Sequence, residues 1–207
     1  MIHNLAAGVQ AFTSNAFLVA GPASADSPAA DDDGDTGRRV LVDTGSNFDV
    51  LPGIDERVDD LDAVVLTHTH RDHVGNVKAV CDAYGVETWG FDTEQPAVDN
   101  AIPDGGTVEL GLGTYEALHT PGHKDDHLCL YDEAAGVLFA GDLIFQNGGF
   151  GRTDLEEGDR EALIRSIDRV RDRVDEGLAE LHVGHGPSVL DAPFDHVELA
   201  ARAARMR

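Results

Sequence analysis

Thr67-His68-Thr69-His70-Arg71-Asp72-His73-Val74-Gly75-Asn76 places four potential metal ligands, His68, His70, Asp72 and His73, within six residues. Before it, Ala63-Val64-Val65-Leu66 is a short apolar run with the length of a buried strand. After it, Asn76 to Tyr84 reads as a helix closed by Gly85. Residues two apart on a strand point the same way, so His68 and His70 can grip one ion. Where the chain turns into the helix, Asp72 and His73 swing away from that pair and can hold a second. Imidazoles with a carboxylate suit zinc, iron or manganese better than calcium or magnesium. Spacing alone also fits a histidine-rich surface turn. The remaining donors lie downstream, and they decide against that turn.

Those donors sit in Thr120-Pro121-Gly122-His123, Ala140-Gly141-Asp142 and Gly184-His185-Gly186. Together with residues 67–76, in this order, they resemble the His-x-His-x-Asp-His pattern and later motifs of the metallo-β-lactamase superfamily. The resemblance runs over nearly the whole chain. It implies an α/β fold, the αββα sandwich of two mixed β-sheets with helices on the outer faces. Carried over position by position, it implies that His68, His70 and His123 hold one metal. Asp72, His73 and His185 would hold a second, and Asp142 would bridge the two. Asp43-Thr44-Gly45 resembles the superfamily's strand-end turn, which makes Asp43 a brace for the metal loop rather than a ligand.

Gly151-Arg152-Thr153-Asp154, Gly158-Asp159 and Leu163-Ile164-Arg165-Ser166-Ile167 narrow the resemblance to the glyoxalase II-like branch. Persulfide dioxygenases share much of this segment. Arg152 and Asp154 are expected to pair and to brace the loop beside the metals. The reaction implied is hydrolysis of an acyl thioester of a small thiol by a hydroxide shared between two divalent ions, zinc first, iron or manganese otherwise. Asp72 and Asp142 would offset the metal charge, and Asp142 would also orient the hydroxide. The alternatives are a mononuclear-iron oxidoreductase of the persulfide dioxygenase type and a lactonase of the same fold. A nuclease is disfavoured because the sequence offers no basic groove.

The other histidines read differently. His127, four residues after His123, is expected in the pocket or against a ligand. Lys124 can meet an anionic substrate, but the simpler expectation is a surface lysine. Lys124-Asp125-Asp126 is also where the chain departs from its relatives' pattern. His119 and His182 are expected to pack or brace, and His3 and His196 to face solvent. Ser46 and Ser188 have no triad context.

The chain has 207 residues, enough for one domain with a full core, and a separate substrate-binding domain has no room. Only about twenty residues follow Gly186-Pro187, so the C-terminal glutathione-binding domain of glyoxalase II is expected to be absent. The formal net charge is −24, and Lys78 and Lys124 are the only lysines. Such a surface repels nucleic acid and anionic membranes, and it opposes its own folding unless salt screens it. This composition predicts a cytoplasmic protein of an extreme halophile, with a small-molecule substrate and no nucleic-acid or membrane partner. It leaves the oligomeric state open. Cys81 and Cys129 are isolated and expected as buried free thiols in a reducing compartment. No stretch is long and apolar enough to span a membrane.

The expected elements are strands at 9–13, 16–20 and 39–42, with residues 21–37 as an acidic exposed loop between the second and third. Further strands are expected at 63–66, 86–90, 107–119 (broken by Gly111 and Gly113), 128–131, 137–140 and 181–183. Helices are expected at 76–84, at 160–174 capped by Asp159, and at 194–204.

Overall fold

The computed structural model describes residues 1–21 and 37–206. Residues 22–36, within the acidic loop expected from the sequence, lie outside them. The chain forms two compact units: Met1–Ile102 with Thr107–Tyr115, and Pro103–Gly106 with Glu116–Arg207.

The first unit is built on a six-stranded sheet. Its elements are β1 (Ile2–Asn4), β2 (Phe17–Val19), β3 (Val40–Val42), α1 (Leu51–Asp55), β4 (Ala63–Val65), α2 (Arg71–Val74), α3 (Val77–Tyr84), β5 (Thr88–Gly90) and β6 (Asn100–Ala101). The strands lie in sequence order, the first three antiparallel and β3 to β6 parallel. β2, β3 and β4 are buried at every residue, as the unbroken apolar runs Phe-Leu-Val, Val-Leu-Val and Ala-Val-Val require. Leu18, Leu41, Val64 and Leu66 join Ile54, Val80 and Val98 in one core. α3 stops at Gly85, whose φ of +68° gives the left-handed cap that favours glycine.

In the second sheet the order is β11-β10-β9-β8-β7, with β7 (Thr107–Leu110), β8 (Gly113–His119), β9 (Leu128–Asp132), β10 (Val137–Gly141) and β11 (Glu180–Val183). β10 pairs antiparallel with β9 and parallel with β11. Helices α4 (Arg160–Arg173) and α5 (Pro193–Met206) complete the second unit. α4 buries Leu163, Ser166, Ile167 and Val170, a stripe at three- and four-residue spacing. Its first turn is capped by Asp159, whose carboxylate accepts from the Ala162 N–H at 2.9 Å. α5 buries Val197, Ala200, Ala201 and Ala204, and the Arg160 guanidinium donates to the Ala204 carbonyl in its last turn.

Several expectations are corrected. Residues 9–13 form no strand; they follow a turn at Gly8 (φ +84°) and are half-buried to exposed. The strand facing β2 is β1, whose Ile2 lies opposite Val19. The strand before the histidine run ends at Val65, so His68 and His70 lie on a loop rather than on a strand. His3 and His196 are half-buried, and His196 Nδ1 accepts from the Asn147 N–H at 2.8 Å. Both cysteines are free thiols, but only Cys129 is fully buried.

Candidate metal-ligand clusters

In the first unit the parallel strands β3 and β4 end side by side, which brings the residue after β3 against the loop after β4. That residue is Asp43, buried and with φ of +55°. Its carboxylate accepts from the Thr67 N–H at 2.8 Å, the Thr67 hydroxyl at 2.7 Å and His73 Nδ1 at 2.8 Å. A carboxylate can only accept, so His73 carries its proton on Nδ1 and presents the Nε2 lone pair. Thr67 spends its proton on Asp43 and must accept from His68 Nδ1, 3.2 Å away, so the His68 proton too sits on Nδ1. His68 Nε2 stands 3.1 Å from His70 Nδ1. The His68 and His73 rings lie 4.0 Å apart between centroids. Asp72 begins α2 beside them, with its carbonyl accepting from the Ser14 hydroxyl at 3.0 Å. The structure therefore gathers His68, His70, Asp72 and His73, with Asp43 behind His73.

The same device recurs in the second unit. β10 and β11 are parallel neighbours, and Asp142 and His185 follow their C-terminal ends. His123 comes from the Thr120–Gly122 turn after β8. Its Nε2 lies 3.3 Å from Asp142 Oδ2, and His185 Nε2 lies 3.5 Å from the same oxygen. His123 Nδ1 donates to the Arg152 carbonyl at 2.9 Å, so in the neutral ring Nε2 faces the carboxylate as a bare acceptor. Two acceptors facing each other without a proton repel, and a cation between them reverses that. Donors bonded at about 2.0–2.1 Å to one tetrahedral ion stand about 3.3 Å apart, the spacing seen in both clusters. On donor chemistry and spacing, the residues present fit divalent metal ions.

His127 is no member of the cluster. Its Nε2 accepts from the Asp142 N–H at 3.0 Å, and its Nδ1 donates to Thr120 Oγ1 at 2.8 Å. It holds the main chain that carries Asp142, and it is completely buried. Two glycines set the approach. A Cβ on Gly122 (φ +127°) would fall 2.2 Å from the Leu163 nitrogen, and one on Gly151 would fall 2.1 Å from the Asp142 carbonyl oxygen. Only glycine lets the 151–152 backbone run against Asp142 and His123. Arg152 and Asp154 do pair, at 2.7 Å, and this holds the Asp154 carboxyl down at about 2. Their side chains are exposed, however, and what reaches His123 is the Arg152 carbonyl. The sequence singled out the side chain where the main chain makes the contact.

Lys124 is not a surface lysine. It is buried and bound to Glu157, with Asp125 at 3.6 Å and Asp126 at 3.7 Å. Burial works to lower its pKa, but the Glu157 hydrogen bond and the surrounding carboxylates outweigh it and hold the ammonium above its usual range. Its charge is neutralised from within the chain, so it is not available to a substrate. His119 Nε2 donates to the Asp125 carbonyl at 2.7 Å and steadies the same loop. His182 is stacked on Phe139 and bonded to Glu180 and Ser188 at 2.9 and 2.8 Å. Thr67, Thr120, Gly122 and Gly151 order the donors, and nothing in their residue types alone marked them out.

The description of the Metallo-beta-lactamase superfamily matches residues 33–185. The hydroxyacylglutathione hydrolase GloC of Haemophilus influenzae is 33% identical over 154 residues, 62% of this chain and 71% of that protein. A hydroxyacylglutathione hydrolase of Klebsiella pneumoniae subsp. pneumoniae is 34% identical over 144 residues, 69% of this chain but only 55% of its own length. Among solved structures, the BLEG-1 B3 metallo-beta-lactamase superposes with a TM-score of 0.74 at 26% identity, over 97% of this chain and 99% of that one. The chain has the metallo-β-lactamase fold expected from its motifs and belongs to the metallo-beta-lactamase superfamily, in its glyoxalase II-like branch.

Proposed function

We propose that this protein is a metal-dependent hydrolase of the glyoxalase II type, which cleaves acyl thioesters of a small thiol. The observation that carries the reading is the pair of donor clusters, in which imidazole lone pairs face other acceptors at ligand spacing. The relatives' names supply the reaction class. His68, His70, His123, Asp72, His73, Asp142 and His185 would hold two divalent ions, with zinc first and iron or manganese as the other choices. Such a pair supplies an acidified water and a Lewis acid for the carbonyl.

The chain's own residues do the rest. Asp43, Thr67 and the Arg152 carbonyl keep the protons of His73, His68 and His123 on Nδ1, so that each of these three turns Nε2 to the metal side. His127 fixes the backbone of Asp142. Asp72 and Asp142 offset the metal charge, and Asp142 orients the attacking water and takes its proton. Water adds its oxygen to the acyl carbon, the carbon–sulfur bond breaks, and the thiolate leaves with that proton as free thiol. The reading takes residues 1–207 as one catalytic domain. The charge of −24 and the two unpaired thiols support a cytoplasmic protein working at high salt.

The test is hydrolysis of lactoyl and acetyl thioesters of several small thiols in molar potassium chloride with zinc or manganese. A parallel reaction offers glutathione persulfide under an oxygen electrode. Thioester cleavage without oxygen uptake is expected. Oxygen uptake coupled to persulfide loss, with thioesters intact, would overturn the hydrolase reading.

A further inference from the structure

A cleft of about 540 Å³ opens on the first unit, with Phe12, Ser46, Asn47, Arg71 and Asp72 in its walls. Arg71 is distinctive there. Acidic residues outnumber Lys and Arg by 39 to 15, so a cation in this chain has carboxylates on offer almost everywhere. Among the described residues, every other lysine and arginine side chain makes a hydrogen bond or an ion pair. The exposed guanidinium of Arg71 makes neither. In the same cleft, Phe12 is 75% exposed although its backbone is clamped. The Asn47 side chain donates to the Phe12 carbonyl at 2.8 Å, and Thr13 Oγ1 accepts from the Ser46 N–H at 2.8 Å. The ring is thus held out on a fixed segment and not on a fraying end.

We infer that Arg71, with Phe12, is a specificity determinant that binds a carboxylate on the thiol part of the substrate. The guanidinium pairs with the carboxylate in its forked geometry. The Phe12 ring covers the carbon chain between that carboxylate and the sulfur. The same cleft reaches Asp72 of the first donor cluster, so the acyl end of the bound molecule lies toward the ligands. The inference rests on the proposed thioester hydrolysis for its catalytic meaning, whereas the binding it claims is measurable without turnover.

The experiment compares two pairs of probes, run at the lowest salt that keeps the protein folded, because an exposed pair is screened. The first pair is S-acetyl-3-mercaptopropionate and its neutral amide, followed by hydrolysis. The second is the corresponding S-ethyl thioethers, which cannot be hydrolysed, titrated by calorimetry into protein with and without metal. Wild type is expected to favour the acid over the amide by about three- to five-fold, in KM and in Kd, with kcat alike. Arg71→Ala should erase the preference, Arg71→Lys should keep part of it, and Arg71→Glu should invert it, all without a shift in melting. Phe12→Ala should weaken acid and amide equally. Equal binding of acid and amide thioethers by wild type would overturn the inference. A retained acid preference in thioethers with no thioester cleavage would uphold it and defeat the hydrolase reading instead.

Discussion

The two donor clusters are made by the same strand geometry but from opposite kinds of sequence. In the first, His68, His70, Asp72 and His73 occupy one short loop and helix start, and only Asp43 comes from elsewhere. In the second, His123, Asp142 and His185 arrive from three distant segments. Each cluster rests on parallel strands ending at one edge: β3 beside β4 in the first unit, and β10 beside β11 in the second. A local cluster can be ordered by turn chemistry, and side chains suffice, as Asp43 and Thr67 do. A dispersed cluster must be ordered by backbone placement. There the ordering contacts are the His127–Asp142 N–H bond, the Arg152 carbonyl and two glycines.

The largest expected effect is on Asp142, whose carboxylate stands 3.3 Å from His123 Nε2 and 3.5 Å from His185 Nε2. Asp142→Ala should lower thioester turnover by at least about a thousandfold, the scale of losing a principal electrostatic group. It should also release at least one ion on dialysis, read by metal analysis. A variant that keeps two ions per chain and its turnover would break the symmetry drawn between the clusters.

Next come the residues that hold ligands without being ligands. Asp43→Asn should weaken metal binding about 10- to 100-fold, because His73 loses the partner that fixes its proton. His127→Ala should act on the second cluster alone, loosening Asp142 by a similar factor. Competition with a chromophoric chelator measures both. His119→Ala, which removes the bond to the Asp125 carbonyl, is the control and should retain both ions.

Backbone placement also predicts a stability cost. Gly122→Ala forces a Cβ into the α4 backbone at a φ that L residues rarely adopt, and it should cost about 2–4 kcal/mol, read by denaturant titration. An unchanged midpoint would mean that the turn relaxes freely and that the approach of α4 does not set His123. Arg152→Ala is the smallest effect. Its ion pair is exposed and its carbonyl survives the substitution, so melting should not change measurably and turnover should stay within about threefold. Across all variants, melting temperature should climb between low and molar potassium chloride, since a charge of −24 needs a screening length of about 3 Å near 1 M salt.

The helices α3, α4 and α5 were legible because caps and three- to four-residue stripes are local, and Asp159 and Gly85 mark their ends in the sequence itself. The apolar runs of β2, β3, β4, β9 and β10 were legible for the same reason. Residues 9–13 misled because residue types alone name no partner. A strand exists only when another chain segment supplies its hydrogen bonds, and β2 takes those from β1. Lys124 misled because a charged residue type signals exposure until three carboxylates close round it.

By itself the sequence determined the residue types able to hold metal, their order along the chain, the family, and the net charge of −24. Each of these is a property of composition or of short spacing. Only the tertiary structure decided which nitrogen of His68, His73 and His123 carries the proton, that Arg152 serves through its carbonyl, that Lys124 is spent inside the chain and Arg71 is not. These depend on distances of about 3 Å between residues far apart in sequence, and strand register and helix packing set those distances.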